Sequence, residues 1–234
     1  MKAVAIVQSS YIPWKGYFDL INSVDEFILF DDVQFTRRDW RTRNRIKTSS
    51  GTAWLTVPVN AKGRYHDRID QIRTTDNDWR RRHWRTLAQN YARAPHFDEL
   101  ATTIGSLYEG SDERRLSLVN RSFIEAICGI LGITTPLRES SEYAATGAKT
   151  ERLVALCEQA QATSYLSGPR AKAYLDENVF AARGIAVEYM DYSNYPEYPQ
   201  VHPPFDHHVT VLDLLFHTGS EACRYMKSFG DSGT

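Results

Sequence analysis

The sequence has few of the features that mark secreted, metal-bound, membrane or nucleic-acid-binding proteins. Its three cysteines include no Cys-x-x-Cys pair, so we expect neither a disulfide framework nor a zinc ribbon. No apolar run approaches the roughly 18 residues of a membrane-spanning helix, and the run after Met1 is too short for a secretory signal. The 28 basic residues are balanced by 29 acidic ones, which excludes a uniformly basic nucleic-acid binder. These absences predict a cytoplasmic protein with no membrane insertion.

Short apolar runs alternate with helical patterns along most of the chain. Residues 3–7 and 26–30 are short and mainly apolar, and a loop and a helical turn at 17–22 lie between them. This order is a β-α-β unit, which predicts a parallel sheet. Further strands are predicted at 54–59, 164–168 and 184–190, and further helices at 151–161 and 172–180. The sequence therefore predicts a single α/β domain over residues 1–234, with a Rossmann-like parallel sheet and a mainly helical insertion at about 76–150.

Polar residues follow each of the first two predicted strands. In open parallel sheets, ligands bind beyond the carboxyl ends of the strands, so we expect a site near residues 8–16 and 31–38. Lys15 in the first segment is interpreted as an anion clamp. Asp31 and Asp32 end the second strand, and because successive strand residues point to opposite faces, only one of them is expected in the pocket. We predict Asp32 as a general base there.

Arginine is concentrated in one part of the chain. Residues 37–93 contain thirteen arginines and two lysines against five aspartates. The densest cluster, residues 37–45, follows the second strand as a predicted loop and also carries Trp40 and Asn44. Guanidinium groups bind phosphate in a bidentate manner and stack on aromatic rings. The cluster therefore predicts a small anionic substrate, such as a nucleotide, a nucleotide-sugar or coenzyme A, and no nucleic acid. A second cluster at 80–85 is equally consistent with a solvated helix face.

Further candidate residues come from the second half of the chain. His207 lies in a loop rich in proline and aromatic residues and is a second candidate base. No third partner at a suitable spacing completes a metal site around the histidines, so no metal is predicted. Together with Lys15 and Asp32, His207 forms the predicted catalytic set. The predicted binding residues are Gln8, Tyr11, Gly16, Arg38, Arg43, Asn44, Arg45, Ser167, Gly168, Lys172 and Gln200.

Several blocks in sequence order resemble the WbqC-like family. They lie at residues 8–21, 30–35, 37–46, 54–59, 165–175 and 198–216. The resemblance extends over essentially the whole chain, from about residue 3 to residue 219. Members of this family look like components of bacterial surface-polysaccharide (O-antigen) clusters and related small-molecule pathways. The resemblance implies an enzyme that transfers an acyl or aminoacyl group to the amine of a nucleotide-linked amino sugar, from a nucleotide-linked or coenzyme A-linked donor.

The opening strand, loop and helix are also similar to those of HIGH-motif nucleotidyltransferases and adenylate-forming ligases. In that superfamily a His-x-Gly-His turn holds a triphosphate over a helix N-terminus. In this chain Trp14, Lys15, Gly16 and Tyr17 occupy the equivalent places, so both histidines are missing. This resemblance implies the architecture and a nucleotide-shaped pocket, without adenylation. An ATP-dependent ligase or nucleotidyltransferase, and a non-catalytic nucleotide-sugar-binding protein, are the alternatives.

Overall fold

The computed structural model describes residues 1–64 and 66–230. Its strands form a five-stranded parallel sheet and a separate antiparallel hairpin. The sheet contains β1 (Ala3–Val7), β2 (Glu26–Leu29), β5 (Leu137–Glu139), β6 (Ser164–Ser167) and β7 (Ala186–Tyr189), and the hairpin contains β3 (Arg43–Thr48) and β4 (Gly51–Thr56). The helices are α1 (Lys15–Asn22), α2 (Asp78–Tyr91), α3 (Phe97–Glu109), α4 (Leu116–Leu131), α5 (Thr150–Gln159), α6 (Glu177–Ala181) and α7 (Val211–Thr218).

Both faces of the parallel sheet are covered by helices. Ala5 on β1 belongs to a core shared with α1 to α4 and α7, whereas its neighbours Val4 and Ile6 pack with α5 and α6 on the other face. A strand that is buried on both sides needs apolar residues at consecutive positions. The continuous apolar run of β1 is therefore the expected sequence for a central parallel strand.

The strand order defines where a ligand is expected. The order across the sheet is β5-β2-β1-β6-β7, so the chain leaves β1 toward one edge and later returns to build the other edge from β6. The strand order thus reverses between β1 and β6, and ligands of such sheets bind in the crevice at this reversal. The fold is a Rossmann-like α/β arrangement, which confirms the fold class predicted from the sequence.

Three segments differ from the sequence-based expectations. Within the range of the predicted helical insertion, α2 to α4 are helical, but β5 pairs with β2 as an edge strand of the main sheet. The arginine-rich residues predicted as a loop continue into β3, which pairs with β4. The predicted helix at 172–180 is divided into a 3-10 turn, Pro169–Ala173, and the short helix α6.

The segment between β7 and α7 has no regular secondary structure, and two buried carboxylates hold it in place. Asp19 on α1 accepts hydrogen bonds from the Tyr195 hydroxyl and from the backbone N–H of Ser228. Asp213 on α7 accepts a hydrogen bond from the Tyr198 hydroxyl at 2.9 Å. Both carboxylates are fully buried, so these donors compensate for the loss of solvation. Among the described residues, no helix has the length and apolar composition needed to cross a membrane.

Candidate functional site

The outer face of the β3–β4 hairpin presents arginine and tryptophan side chains to solvent. Arg43 and Arg45 are partly exposed, while Asn44 and Ile46 between and after them are buried. This alternation follows from the period of two residues along a strand. Arg45 lies directly opposite Trp54 in the strand pairing, and the guanidinium carbon of Arg43 lies 4.2 Å from the centroid of the Trp54 ring.

These residues border an open groove of about 540 Å³, which we call the arginine–tryptophan groove. Two tryptophans in it are unusually exposed: 41% of Trp40 and 45% of Trp54 is accessible, and their rings are 5.5 Å apart at an angle of 42°. Among the described residues, no carboxylate pairs with the guanidinium groups of Arg38, Arg43 or Arg45. The groove is lined by Arg37, Arg38, Asp39, Trp40, Arg43, Arg45 and Trp54. Positive charge beside exposed aromatic surface suits an anion that also carries an aromatic group.

The groove is joined to the carboxyl edge of the parallel sheet. Arg41 forms an ion pair with the groove residue Asp39 at 3.1 Å, and it also donates a hydrogen bond to the side chain of Gln8, directly after β1. The Asn44 side chain donates hydrogen bonds to the carbonyl oxygens of Ile12 (2.8 Å) and Tyr11 (3.2 Å) in the loop after β1. These contacts hold the hairpin against the end of the central strand, where the fold predicts a ligand.

Asp31, just beyond β2, is a buried carboxyl group with a raised pKa. Its Oδ1 accepts a hydrogen bond from the backbone N–H of Ser9 at 2.8 Å, and the residue is buried. Burial raises the pKa of Asp31 to about 6, although hydrogen bonds from Ser9 and the charge of Arg41 act in the opposite direction. A carboxyl group with a pKa close to neutral pH is suited to accept and return a proton.

Asp32, the base predicted from the sequence, faces a different environment. One carboxylate oxygen accepts a hydrogen bond from the Ser140 hydroxyl at 2.6 Å, and the other pairs with Arg152. Both oxygens are therefore engaged within the protein. The two aspartates border a cavity of about 20 Å³, which has room for one water molecule. Of the two aspartates, Asp31 is the one that interacts electrostatically with Arg41, the residue that joins the groove to the edge of the sheet.

Lys15, the predicted anion clamp, lies at the start of α1 and is 3% exposed. Its ammonium group donates hydrogen bonds to the carbonyl oxygens of Tyr225 (3.0 Å) and Pro196 (3.3 Å), and it lies 4.5 Å from the ring centroid of Tyr195. Burial lowers the pKa of Lys15 to about 8. The His207 ring lies 6.3 Å from the same Tyr195 ring, so two of the three predicted catalytic residues share a neighbour, and burial and, second, the charge of Lys15 lower the pKa of His207.

Gly16, one of the predicted binding residues, makes room for an indole ring. A Cβ atom at this position would overlap the Trp14 ring. That ring also contacts Tyr192, with 5.0 Å between centroids, and stacks over His208 at 6.4 Å. The turn at residues 14–17 is thus occupied by an aromatic side chain from the chain itself.

Replacing Gly16 by alanine is therefore expected to destabilise the fold by about 1–3 kcal/mol, the usual cost of overpacking. The Trp14 ring is partly buried and contacts the rings of Tyr192, Tyr195 and His208, so moving it away from Gly16 would disturb these contacts. Urea denaturation measures the effect. Gly129→Ala is the matched control, because nothing lies near its Cβ position on the exposed side of α4, and it should be neutral or slightly stabilising. Equal behaviour of the two variants would contradict the assigned role of Gly16.

Three of the predicted binding residues hold the structure around the groove. Tyr11 is fully buried, and its hydroxyl is hydrogen-bonded to His83 and to Tyr108, both at 2.8 Å. The side-chain amide of Asn44 donates hydrogen bonds to backbone carbonyl oxygens in the loop after β1. Gln200 donates a hydrogen bond to Asp213 at 2.8 Å. We assign them a positioning role, because their polar atoms are already bonded within the protein.

The remaining predicted residues lie at or beyond the end of β6. Ser167 is the last residue of β6, and Gly168 follows it at the strand-order reversal, with the Tyr192 ring close to its open side. The Lys172 ammonium lies 4.8 Å from the centroid of the Tyr189 ring. Within residues 1–64 and 66–230, no group of three or more His, Cys, Asp or Glu side chains is arranged to hold a metal ion.

Sequence reasoning missed two contributors to this site, Arg41 and Trp54. In the sequence, Arg41 stands out only as one of several positive charges in the cluster at 37–45. Trp54 was assigned to a strand but not to the site. The sequence does contain a signal for Trp54, since the two-residue period of a strand places it on the same face as Thr52 and Thr56, in the segment that pairs with the arginine-rich strand.

The geometry defines a Rossmann-like α/β protein with a cationic aromatic groove at the carboxyl edge of its sheet. The chain belongs to the WbqC-like protein family, whose model matches residues 8–225, and this confirms the resemblance noted in the sequence. It is also similar to "Uncharacterized protein Rv1507c" of Mycobacterium tuberculosis (strain ATCC 25618 / H37Rv), with 52% identity over 227 residues that cover 97% of this chain and 98% of the relative. No solved structure matches the chain.

Proposed function

We propose that the protein is an enzyme of surface-polysaccharide or related small-molecule biosynthesis that transfers an acyl or aminoacyl group to the amine of a nucleotide-linked amino sugar. One observation carries this proposal. Arg38, Arg43 and Arg45 have no carboxylate partner among the described residues, and they lie beside two half-exposed tryptophans. Family membership supplies the biosynthetic context.

In this proposal the groove binds the phosphates of the nucleotide, and the sugar extends toward the end of β1. Guanidinium groups bind phosphate oxygens through charge-assisted hydrogen bonds, which are stronger than neutral ones. The arginine side chains on the hairpin thus orient the substrate. The contacts of Asn44 and Arg41 hold the hairpin against the loop after β1.

The chemical step needs a base. The nitrogen lone pair of the sugar amine attacks the acyl carbonyl carbon, the bond to the leaving group of the donor breaks, and the amine loses a proton. The Asp31 carboxylate is our first candidate for accepting that proton, because its pKa of about 6 leaves it mainly ionised at neutral pH. His207 is the second, since burial lowers its pKa and favours the neutral, proton-accepting ring. The donor is nucleotide-linked or coenzyme A-linked.

ATP-dependent ligation is the second candidate function, favoured by the Rossmann-like strand order. The local geometry of the turn at 14–17 argues against it. The Trp14 ring covers Gly16, and the Lys15 ammonium is directed to Pro196 and Tyr225. A triphosphate bound at this turn would have to displace both side chains. We therefore place the nucleotide in the arginine–tryptophan groove and rank transfer above adenylation.

Incubation with nucleotide-linked amino sugars and acyl-coenzyme A or aminoacyl donors tests the proposal. Mass spectrometry should show the sugar nucleotide gaining the acyl mass, while ATP with a panel of carboxylic acids should release no pyrophosphate. Arg81→Ala is the control. It removes a charge from the exposed face of α2 and should retain activity. Lys15-dependent release of pyrophosphate from ATP would establish the ligase instead. Binding of the nucleotide-sugar without any turnover would show instead that the protein is a non-catalytic nucleotide-sugar-binding protein.

A further inference from the structure

The two exposed tryptophans of the groove lie on a rigid part of the protein. Trp54 is in a hairpin whose two strands are paired along six residues each. The backbone carbonyl of Trp40 accepts a hydrogen bond from the N–H of Tyr11, which is fully buried. A contiguous exposed apolar patch often marks a binding site, and rigid aromatic rings make contacts at little cost in conformational entropy.

The arrangement of these rings leaves room for a third planar group. The Trp40 and Trp54 rings are tilted by 42° and are not stacked face to face, and one face of Trp54 carries the Arg43 guanidinium. The Nε atom of Arg45 is buried and has no hydrogen-bond partner among the described residues. A ligand that stacks on indole and brings an acceptor to the arginines would satisfy both features.

The groove has little with which to distinguish one nucleobase from another. Its lining contains arginines, which only donate hydrogen bonds, and tryptophans, which stack on any planar ring. Asp39 is the acceptor in this lining, and its carboxylate is already bonded to Thr36, Arg41 and the backbone N–H of Trp40. Among the described residues, the lining includes no side-chain amide or hydroxyl, the groups that usually read the edge of a base.

We infer that the arginine–tryptophan groove binds a nucleoside diphosphate by stacking its base on Trp40 and Trp54, and that it accepts pyrimidine and purine nucleotides almost equally. The inference rests on the proposed function only in taking the groove as the ligand site, and it does not depend on the transfer reaction. The groove volume of about 540 Å³ is that of a site for one small molecule, so a mononucleotide is the expected occupant.

Calorimetric titration with uridine diphosphate, guanosine diphosphate and inorganic pyrophosphate tests the inference. The two nucleotides should bind with dissociation constants within about fivefold of each other, and roughly tenfold to a hundredfold more tightly than pyrophosphate, the range that base stacking provides. Trp40→Ala and Trp54→Ala should weaken nucleotide binding until its affinity is close to that of pyrophosphate. The affinity for pyrophosphate itself should change little.

Two further variants make the result decisive. Trp54→Phe keeps an aromatic ring and should retain most of the nucleotide affinity. Tyr174→Ala removes a ring that is 73% exposed outside the groove and should bind like the unmodified protein. Equal affinity for nucleotides and pyrophosphate, a preference of more than a hundredfold for one base, or far tighter binding of a single-stranded oligonucleotide would overturn the inference. Nucleotide binding without acyl transfer would refute the proposed function alone, whereas phosphate binding without stacking would refute the inference alone.

Discussion

Replacement of Arg45 by alanine is expected to weaken the binding of a nucleotide-sugar by about 1.5–3 kcal/mol, or roughly tenfold to 150-fold in the dissociation constant. Arg45 is directly opposite Trp54 on the hairpin, and its Nε has no hydrogen-bond partner among the described residues. Its loss removes a charge-assisted donor that no neighbouring carboxylate occupies in the structure. Calorimetry with uridine diphosphate-linked sugars measures the change, and Arg38→Ala should weaken binding in the same direction.

Two comparisons show whether the effect comes from the groove. Arg45→Lys keeps the charge but loses the planar fork, so it should recover part of the lost affinity. Arg81→Ala removes an exposed arginine outside the groove and should leave binding unchanged. Because the interaction is partly electrostatic at an open surface, affinity should also fall as the salt concentration rises. Unchanged affinity in both Arg38→Ala and Arg45→Ala would show that the arginine cluster is only a solvated surface.

Replacement of Asp31 by asparagine is expected to stabilise the fold at pH 7 and above by about 2–3 kcal/mol. The pKa of Asp31 is raised from 3.8 to about 6, so between these pH values the folded protein retains a proton that the unfolded chain releases. The free energy of unfolding therefore falls as pH rises through this window, by about 1.4 kcal/mol per unit. Asparagine carries no charge to bury, and its side-chain oxygen can still accept the hydrogen bond from Ser9.

Urea denaturation of the two proteins at pH 4 and at pH 7.5 measures the difference. The stability gain should be close to zero at the lower pH and complete at the higher one. Asp25→Asn is the matched control, since Asp25 also accepts a hydrogen bond from a backbone N–H but is exposed, and it should show no such gain. A destabilised Asp31→Asn variant at pH 7.5 would show that the ionised carboxylate is favourable in its site. If Asp31 is the base, the stabilised variant should also have lost acyl transfer.

The parallel sheet was predictable because its central strands are buried on both faces. Such strands need consecutive apolar residues, and the sequence has them at β1 and β2. The edge strand β5 has three residues, of which Leu137 alone is apolar, so it leaves no periodic pattern to detect. Its pairing depends on β2, an element more than a hundred residues earlier in the chain.

The strand predicted at 54–59 overlaps β4, but β3 was not predicted because most of its side chains are polar or charged. Ile46 is the single large apolar residue of β3, since the outer face carries arginines and the inner face uses Asn44 to bond the loop after β1. β3 therefore shows almost no hydrophobic alternation from which a strand could be predicted. The position of the arginine cluster after β2 was visible in the sequence, whereas the contacts of Asn44 depend on two separate backbone segments and could not be predicted from it.

Position along a strand could not decide between Asp31 and Asp32. Alternation requires that the two carboxylates point in different directions, but the partners that define each environment come from distant segments. Asp32 meets Ser140 and Arg152, whereas Asp31 meets the backbone of Ser9. How each carboxylate is engaged is thus a tertiary property, and neither residue type nor spacing contains it.

The buried carboxylate of Asp19 also has a consequence for the order in which the protein is completed on the ribosome. Asp19 is synthesised early, yet its donors Tyr195, Lys227 and Ser228 follow 176, 208 and 209 residues later. Without them a charge inside α1 would be buried unpaired, at a cost of several kcal/mol. Asp19 therefore reaches its final hydrogen-bonded state only after these later residues emerge, and loss of a few residues around Ser228 would remove the two backbone donors that Lys227 and Ser228 supply to α1.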